Sequence, residues 1–488
     1  MKLQLIGHGY QYAAEQIMMV LFPGEKPEYG PWTGEEDNCA AVRLTFGGQY
    51  ATAVTHLRRD GKQTRGVSRV KLARLEEDAF AKDRMCQRIV KLSFYKAAVA
   101  LTGEKPPWGA LTGIRPARLV TQMLDAGQTE REALRTMEQE FFVAPERAAL
   151  CLDTARASRA ASAALAPEDI SLYVGIPFCP TRCAYCSFVS ASVEKTFSMM
   201  NPYLDALARE ITLMGASVKQ LGLRIKSVYM GGGTPTTLSA AQLARLLGTL
   251  ERHFDLSHLA EYTVEAGRPD TVTAEKLAVL REHGVSRISI NPQTMEDHVL
   301  RAIGRRHSEA DVYAAMELAK ASGIPHINMD LIAGLPEDNA AGFQRTLDKC
   351  LALGPDNLTV HTLALKKGSR ILLDGLTIPP AEEVAAMLDY AAAQLRGAHY
   401  APYYLYRQKY MSGSFENIGW CRPGTAGLYN IYMMEEMHSI VSLGGGAMTK
   451  INLPDGRLER FHNPKFPQQY LERIDDVLAQ KDAAFRLL

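Results

Sequence analysis

The middle of this chain predicts an α/β fold, a partial (β/α)6-type TIM barrel with helices on one side of a parallel sheet. Two observations carry that expectation. Six apolar segments recur at Ser171–Ile176, Ser227–Met230, Glu261–Ala266, Ser286–Ile290, Ile327–Ile332 and Asn357–Leu363. Stretches of helical character at about 200–220, 239–253, 273–283, 308–322 and 339–353 separate them, and such alternation builds parallel sheets. Cys179, Cys183 and Cys186 follow directly on the first segment. That is the carboxyl end of a strand, where such folds collect their ligands.

Residues 1–168 read as an α+β domain. Strand-like segments cover Lys2–Ile6, Ala40–Phe46 and Gln49–Leu57, and Gly47 and Gly48 make a two-residue hairpin turn. Helices are expected over Tyr12–Leu21 and over 75–102, the second stopping at Gly103. Pro106–Pro116 breaks regular structure, and 117–165 read as helices, the Ala-rich stretch Ala155–Ala166 leading to Pro167. The barrel occupies 169–375. Beyond it the alternation stops. A helix near 380–397, the aromatic run Tyr400–Tyr406, three glycines at Gly444–Gly446 and a final helix near 467–479 suggest a small domain, 376–488, covering the barrel mouth.

Composition narrows the function classes. With 55 basic and 54 acidic residues the net charge is +1, which does not point to nucleic acid or an anionic membrane as a partner. No apolar run reaches the roughly 18 residues that a membrane span needs. The opening residues have one Lys and early polar groups, so they do not read as a signal peptide. A cytoplasmic protein is expected. Five of the eight cysteines are scattered and read as reduced core thiols rather than a disulfide framework.

The other three cysteines have the spacing C-x3-C-x2-C. Three thiolates on one loop can hold three irons of a [4Fe–4S] cluster and leave the fourth iron open to a small molecule. Core thiols close in sequence, or a zinc site completed by Cys350, Cys421 or a His, are the alternatives that spacing alone leaves. The flanking residues add more. Gly175-Ile-Pro-Phe-Cys-Pro-Thr-Arg-Cys-Ala-Tyr-Cys186 resembles the cluster loop of radical S-adenosylmethionine (SAM) enzymes. Met230-Gly-Gly-Gly-Thr-Pro235 is similar to that superfamily's GGGTP segment. Glu265, Gln293, Arg305 and Asp330 follow in order after later strands, as the resemblance requires.

The resemblance implies a radical SAM barrel with a [4Fe–4S] cluster on Cys179, Cys183 and Cys186 and SAM on its open iron. It implies that Gly232, Gly233 and Thr234 meet the SAM methionyl amine, that Tyr185 meets adenine, and that the main chain of Tyr173 lies near SAM. Glu265, Gln293, Arg305 and Asp330 would bind its ribose and methionyl parts. Physically, a ribose diol suits carboxylates and amides, and a methionyl carboxylate suits a guanidinium.

Over nearly its full length the chain resembles the oxygen-independent coproporphyrinogen III oxidase (dehydrogenase) family, the HemN and HemW group. Pro107–Pro116 and Gly424–Tyr432 look like its HemZ branch. The resemblance implies oxidative decarboxylation of two coproporphyrinogen III propionates to vinyl groups, giving protoporphyrinogen IX in haem biosynthesis. It implies a porphyrinogen substrate, and a reductant such as flavodoxin or ferredoxin. The alternative within the family is a haem-binding or haem-transfer protein that keeps its cluster. Two departures stand out. Phe188 occupies the position of the fourth cysteine of HemN oxidases, and Tyr429–Met433 replaces the His-Asn-x-x-Tyr-Trp segment of HemW proteins. His438 and His462 are then the candidate haem ligands. Arg115, Arg118, Arg407 and Lys409 are the candidate cations for substrate carboxylates, and alternation along a strand would put Tyr404 and Tyr406 on one face and Tyr403 on the other.

Overall fold

The computed structural model describes residues 1–487 except Thr33, Glu35, 76–78, 187–190, 193–195, 366–369 and 409–411. Phe188 and Lys409 therefore lie outside the described residues. The chain forms two compact units, Met1–Leu152 with Gly413–Phe415, and Asp153–Ser412 with Glu416–Leu488.

The first unit is built on a five-stranded sheet. Lys2–Ile6 pairs in parallel with Glu28–Tyr29 and Cys39–Gly47, and Cys39–Gly47, Tyr50–Arg59 and Lys62–Lys71 follow as an antiparallel meander. The helices Gln11–Leu21 and Ala79–Thr102 supply Ile17, Met18, Val90 and Phe94 to a core shared with Leu3, Val42, Ala53 and Leu57. The hairpin forms one residue on from the expected turn: Gly47 still pairs with Tyr50, so the two-residue loop is Gly48 and Gln49, Gly48 taking φ +57°. Lys62–Lys71 is a strand that sequence reading passed over. Lys62, Arg65, Arg69 and Lys71 are exposed, so only Gly66, Ser68 and Val70 mark its buried face.

The second unit carries the expected alternation. The parallel strands Asp169–Ile176, Arg224–Gly232, Glu261–Glu265, Arg287–Ser289, His326–Ala333 and Asn357–Thr362 lie side by side in chain order. The helices Met200–Gln220, Ala240–His253, Ala274–Glu282, Glu309–Ala321 and Ala340–Leu353 connect them. Their starts are fixed locally. Ser239 and Ser308 form capping boxes with Gln242 and Asp311, and Thr273 and Asn339 accept from Lys276 and Gly342 backbone N–H groups. A short helix, Asp297–Ala302, stands between the fourth strand and the helix Glu309–Ala321, and was not expected.

The sequence suggested boundaries near 168 and 375; the structure divides the chain in two. Residues after 375, apart from Gly413–Phe415, share one unit with the parallel strands because they complete the same eleven-stranded sheet. Glu416–Cys421 pairs antiparallel with the sixth parallel strand and carries Ala401–Arg407 beyond it. Ile440–Leu443 pairs in parallel with the first strand, followed by Met448–Asn452 and Leu458–His462. Both edges of the parallel sheet thus receive their hydrogen-bond partners from the end of the chain, which a sheet edge needs if it is not to pair with other molecules. The final helix is two helices, Pro467–Glu472 and Ile474–Phe485.

Candidate active site

Strand register builds the site. Side chains alternate faces along a strand, and the pairings align one set into rows. Tyr173, Tyr229, Thr263 and Arg287 are successive partners across four strands. One step further along, Glu265 pairs with Ser289, Ser289 with Asn328, and Asp330 with Thr359. Except for Tyr173, these residues line a single cavity of about 400 Å³ in the second unit.

The cysteine loop forms the neighbouring part of that cavity. Cys179, Cys183, Tyr185 and Cys186 line it together with Gly232, Gly233, Thr234, Glu265, Gln293, Arg305 and Asp330. Every residue expected to hold the cluster or SAM, except Tyr173, therefore meets there. The Tyr173 ring instead stacks against Tyr229 and Tyr429, at centroid distances of 6.3 and 6.4 Å.

The glycine segment lies along the cysteine loop. Gly233 N–H donates to the Ile176 carbonyl at 2.8 Å and Thr234 N–H to the Phe178 carbonyl at 2.7 Å. A Cβ on Gly233 would stand 2.5 Å from the Phe178 oxygen, so only glycine allows this approach. Thr234 Oγ1 is 3.5 Å from Cys179 Sγ. On the other side, Ala184 N–H donates to the Ile303 carbonyl at 2.9 Å, and Thr181 Oγ1 donates to the Gly304 carbonyl at 3.3 Å. The loop is thus held from both flanks.

The charged groups are tuned by burial and by neighbours. Burial pushes the Glu265 carboxyl up to about 7, against the Tyr229 hydroxyl that donates to it at 2.5 Å. Burial also works to raise the Asp330 carboxyl. The His361 imidazole 3.8 Å away and a hydrogen bond from Asn328 Nδ2 at 2.8 Å nevertheless hold it below its ordinary value. Gln293 has φ +69°, a conformation that side chains rarely adopt. Its N–H donates to the Asp330 carbonyl and its carbonyl accepts from Ile332 N–H, both at 3.0 Å, which fixes that backbone.

Several lining residues went unnoticed in the sequence: Tyr229, Asn291, Arg268, Asn328 and His361. For Asn328 the two-residue period was the available signal, because it precedes Asp330 by one full period. The tyrosine run departs from that rule. Tyr403, Tyr404 and Tyr406 all line the cavity, because the pairing with Glu416–Cys421 slips between Pro402 and Tyr404. Such a bulge re-aims the side chains that follow it. Of the candidate cations, Arg407 is buried and absent from the cavity lining, and Arg115 and Arg118 belong to the first unit. Arg268 and Arg287 do line it. Arg268 is held bidentately by Asp270 at 2.9 Å, and Arg287 donates to the Thr425 carbonyl at 2.9 Å and to Asn357.

The fold and the site define a radical SAM protein, and the Radical SAM superfamily signature matches residues 173–350. The oxygen-independent coproporphyrinogen-III oxidase-like protein HemZ of Bacillus subtilis is 37% identical over 412 residues, covering 83% of this chain and 82% of that protein. The chain therefore belongs to the oxygen-independent coproporphyrinogen-III oxidase-like family. The heme chaperone HemW of Bacillus subtilis is 35% identical over 230 residues, 46% of this chain and 59% of that protein. The solved structure of the Escherichia coli coproporphyrinogen III oxidase HemN, a radical SAM enzyme, superposes with a TM-score of 0.53 at 25% identity, covering 65% of this chain and 72% of that one.

The family works with a [4Fe–4S] cluster and SAM, and the residues present fit both. The three cysteines stand on one loop in the cavity wall. Among the described residues no three His, Cys, Asp or Glu side chains converge as a single metal ion would need. A cluster that takes one thiolate per iron does not require that convergence. Gln293 Oε1, Asn291 Oδ1 and Arg305 Nε are buried in the cavity wall without a hydrogen-bond partner among the described residues. Such atoms are costly unless a polar ligand meets them. Among the described residues no helix is long and apolar enough to cross a membrane.

Proposed function

We propose that this chain is an oxygen-independent coproporphyrinogen III dehydrogenase, which converts two propionate side chains of its substrate to vinyl groups and yields protoporphyrinogen IX. The observation that carries this reading is one cavity lined both by the cysteine loop with its cofactor-type residues and by Tyr403, Tyr404 and Tyr406. When bound, the cluster and SAM supply the radical that removes a hydrogen atom from the propionate β-carbon. Each propionate then loses carbon dioxide and passes one electron to an acceptor.

The chain's own residues bind and orient. Cys179, Cys183 and Cys186 hold three irons. Gly232, Gly233 and Thr234 present backbone and hydroxyl groups to the methionyl amine, and Arg305 receives the methionyl carboxylate. Glu265, Gln293 and Asp330 take the ribose and the rest of the methionyl group, and Tyr185 meets adenine. The parallel rings of Tyr404 and Tyr406, 6.2 Å apart with 9° between their planes, offer flat apolar surface to a tetrapyrrole. Arg268 and Arg287 are the lining cations for its carboxylates. A small acidic electron carrier such as flavodoxin or ferredoxin reduces the cluster.

The test is product analysis. Reconstituted protein, incubated without oxygen with coproporphyrinogen III, SAM and a reductant, should form protoporphyrinogen IX, and Cys183→Ser should not. Cleavage of SAM without decarboxylated product sinks the substrate assignment. A haem-carrying role is the second reading, favoured by the kinship with heme chaperones. Among the candidate haem ligands, His438 is buried, with Nε2 2.7 Å from Ser171 Oγ, while His462 is exposed. A Soret shift on haem titration, lost in His462→Ala, supports that reading; no shift removes it.

A further inference from the structure

The segments that brace the cysteine loop carry a local excess of exposed positive charge. Thr181 Oγ1 donates to the Gly304 carbonyl, Ala184 N–H to the Ile303 carbonyl, and Arg370 N–H to the Ala184 carbonyl, at 3.3, 2.9 and 3.1 Å. These ties gather residues 180–186, 301–306 and 370–374 around the loop. Arg182, Arg301, Arg306 and Arg370 are exposed on them. Asp374 is the one carboxylate in these segments, and it pairs with Arg370 at 3.2 Å. Arg182 and Arg301 have no ion pair among the described residues. The whole chain is only +1, so this excess belongs to the patch. Leu373, in the same segment as Arg370, is 73% exposed. One large apolar side chain thus stands exposed in the same segment as a patch cation.

We propose that this patch docks the acidic one-electron carrier protein that reduces the cluster. The inference rests on the cluster assignment made under the proposed function. Arg182 adjoins Cys183, so a carrier seated here stands one residue from a cluster ligand. The chemistry asked of the contact is small: one electron leaves the reduced carrier and enters the oxidised cluster, with no bond made or broken and no proton moved. Cations around such a contact steer an anionic partner and set its register more than they deepen its affinity. Leu373 supplies the apolar centre.

Calorimetric titration of flavodoxin into the cluster-reconstituted protein, at low and at high salt, measures the contact directly. Arg182→Glu/Arg301→Glu should weaken binding by about tenfold or more at low salt and flatten its salt dependence. Iron content and dithionite-driven SAM cleavage should stay at the wild-type level, while flavodoxin-driven cleavage falls. Arg301→Glu alone, away from the cysteine loop, should give a smaller loss of the same kind. Unchanged flavodoxin affinity in both variants overturns the inference. So does a duplex oligonucleotide that binds the patch and loses affinity in the variants while flavodoxin does not. Wild-type protein that fails to cleave SAM with dithionite overturns the radical SAM assignment instead, so the two failures are distinct.

Discussion

Glu265 illustrates how much one side chain carries. Its carboxyl is raised from 4.5 to about 7 by burial, so the folded protein holds the proton more tightly than the unfolded chain does. Stability from this group is therefore greatest below pH 4.5 and declines as pH rises toward 7, by about 3 kcal/mol if the whole shift is expressed. Thermal melts of SAM-free protein between pH 5 and pH 8 should show that decline, and Glu265→Gln should flatten it; an unaltered slope in the variant contradicts the assignment. Gly233 sets a second constraint. A Cβ there meets the carbonyls of Phe178 and Ile176 at 2.5 and 2.8 Å. Gly233→Ala should displace the cysteine loop, and SAM titration should show binding lost rather than merely weakened. Both residues were legible in the sequence, because glycines and a lone acid at strand ends stand out. Tyr229 and His361 were not. A tyrosine inside an apolar strand looks like core, and only its alignment with Thr263 across the register shows that it faces the cavity.

At the scale of elements, the helices between the parallel strands could be placed to within a few residues, because apolar spacing and polar caps agree there. Ser239→Ala removes one such cap and should cost about 1 kcal/mol, read as a lower melting temperature with cofactor binding intact. Elements were missed where the local signal is weak. Lys62–Lys71 has cations along its exposed face, and Asp297–Ala302 is too short to show a helical period. The slip between Pro402 and Tyr404 could not be read from the sequence at all. It arises from pairing with a strand that starts at Glu416, and the run itself alternates no differently from an ordinary strand. Its effect is to bring Tyr403, Tyr404 and Tyr406 to one cavity. Tyr404→Ala should leave SAM cleavage near wild type while lowering formation of decarboxylated product, a split that separate assays of 5′-deoxyadenosine and of porphyrinogen would reveal.

Across the second unit, the C-terminal residues are joined to the parallel strands through a fully buried polar cluster. Glu210, on the helix Met200–Gln220, accepts from Gly444 N–H at 2.7 Å, from Tyr470 OH at 2.6 Å and from Asn463 Nδ2 at 2.9 Å, and pairs with Lys481 at 3.5 Å. Lys481 also donates to the Ser442 carbonyl and to Thr449. Burial lowers the Lys481 ammonium, and Glu210 opposes that. Lys481→Met strands the Glu210 charge and should cost about 3–5 kcal/mol, whereas Glu210→Gln/Lys481→Met should recover part of the loss. Urea unfolding of the three variants measures that coupling, and strict additivity would argue against it.

The pairing of Ser171 with Ile440 has a consequence for how the protein is made. The first parallel strand leaves the ribosome long before its edge partner exists. At roughly 5–20 residues per second, the interval is on the order of tens of seconds. For that time the strand feeding the cysteine loop has a bare edge, a prime target for mispairing. Metal insertion that begins on the nascent chain would meet an unfinished cradle, so maturation is expected to follow release. A ribosome-stalled chain ending near residue 430 should accordingly take up little iron, and a stalled chain carrying all 488 residues outside the tunnel should load normally.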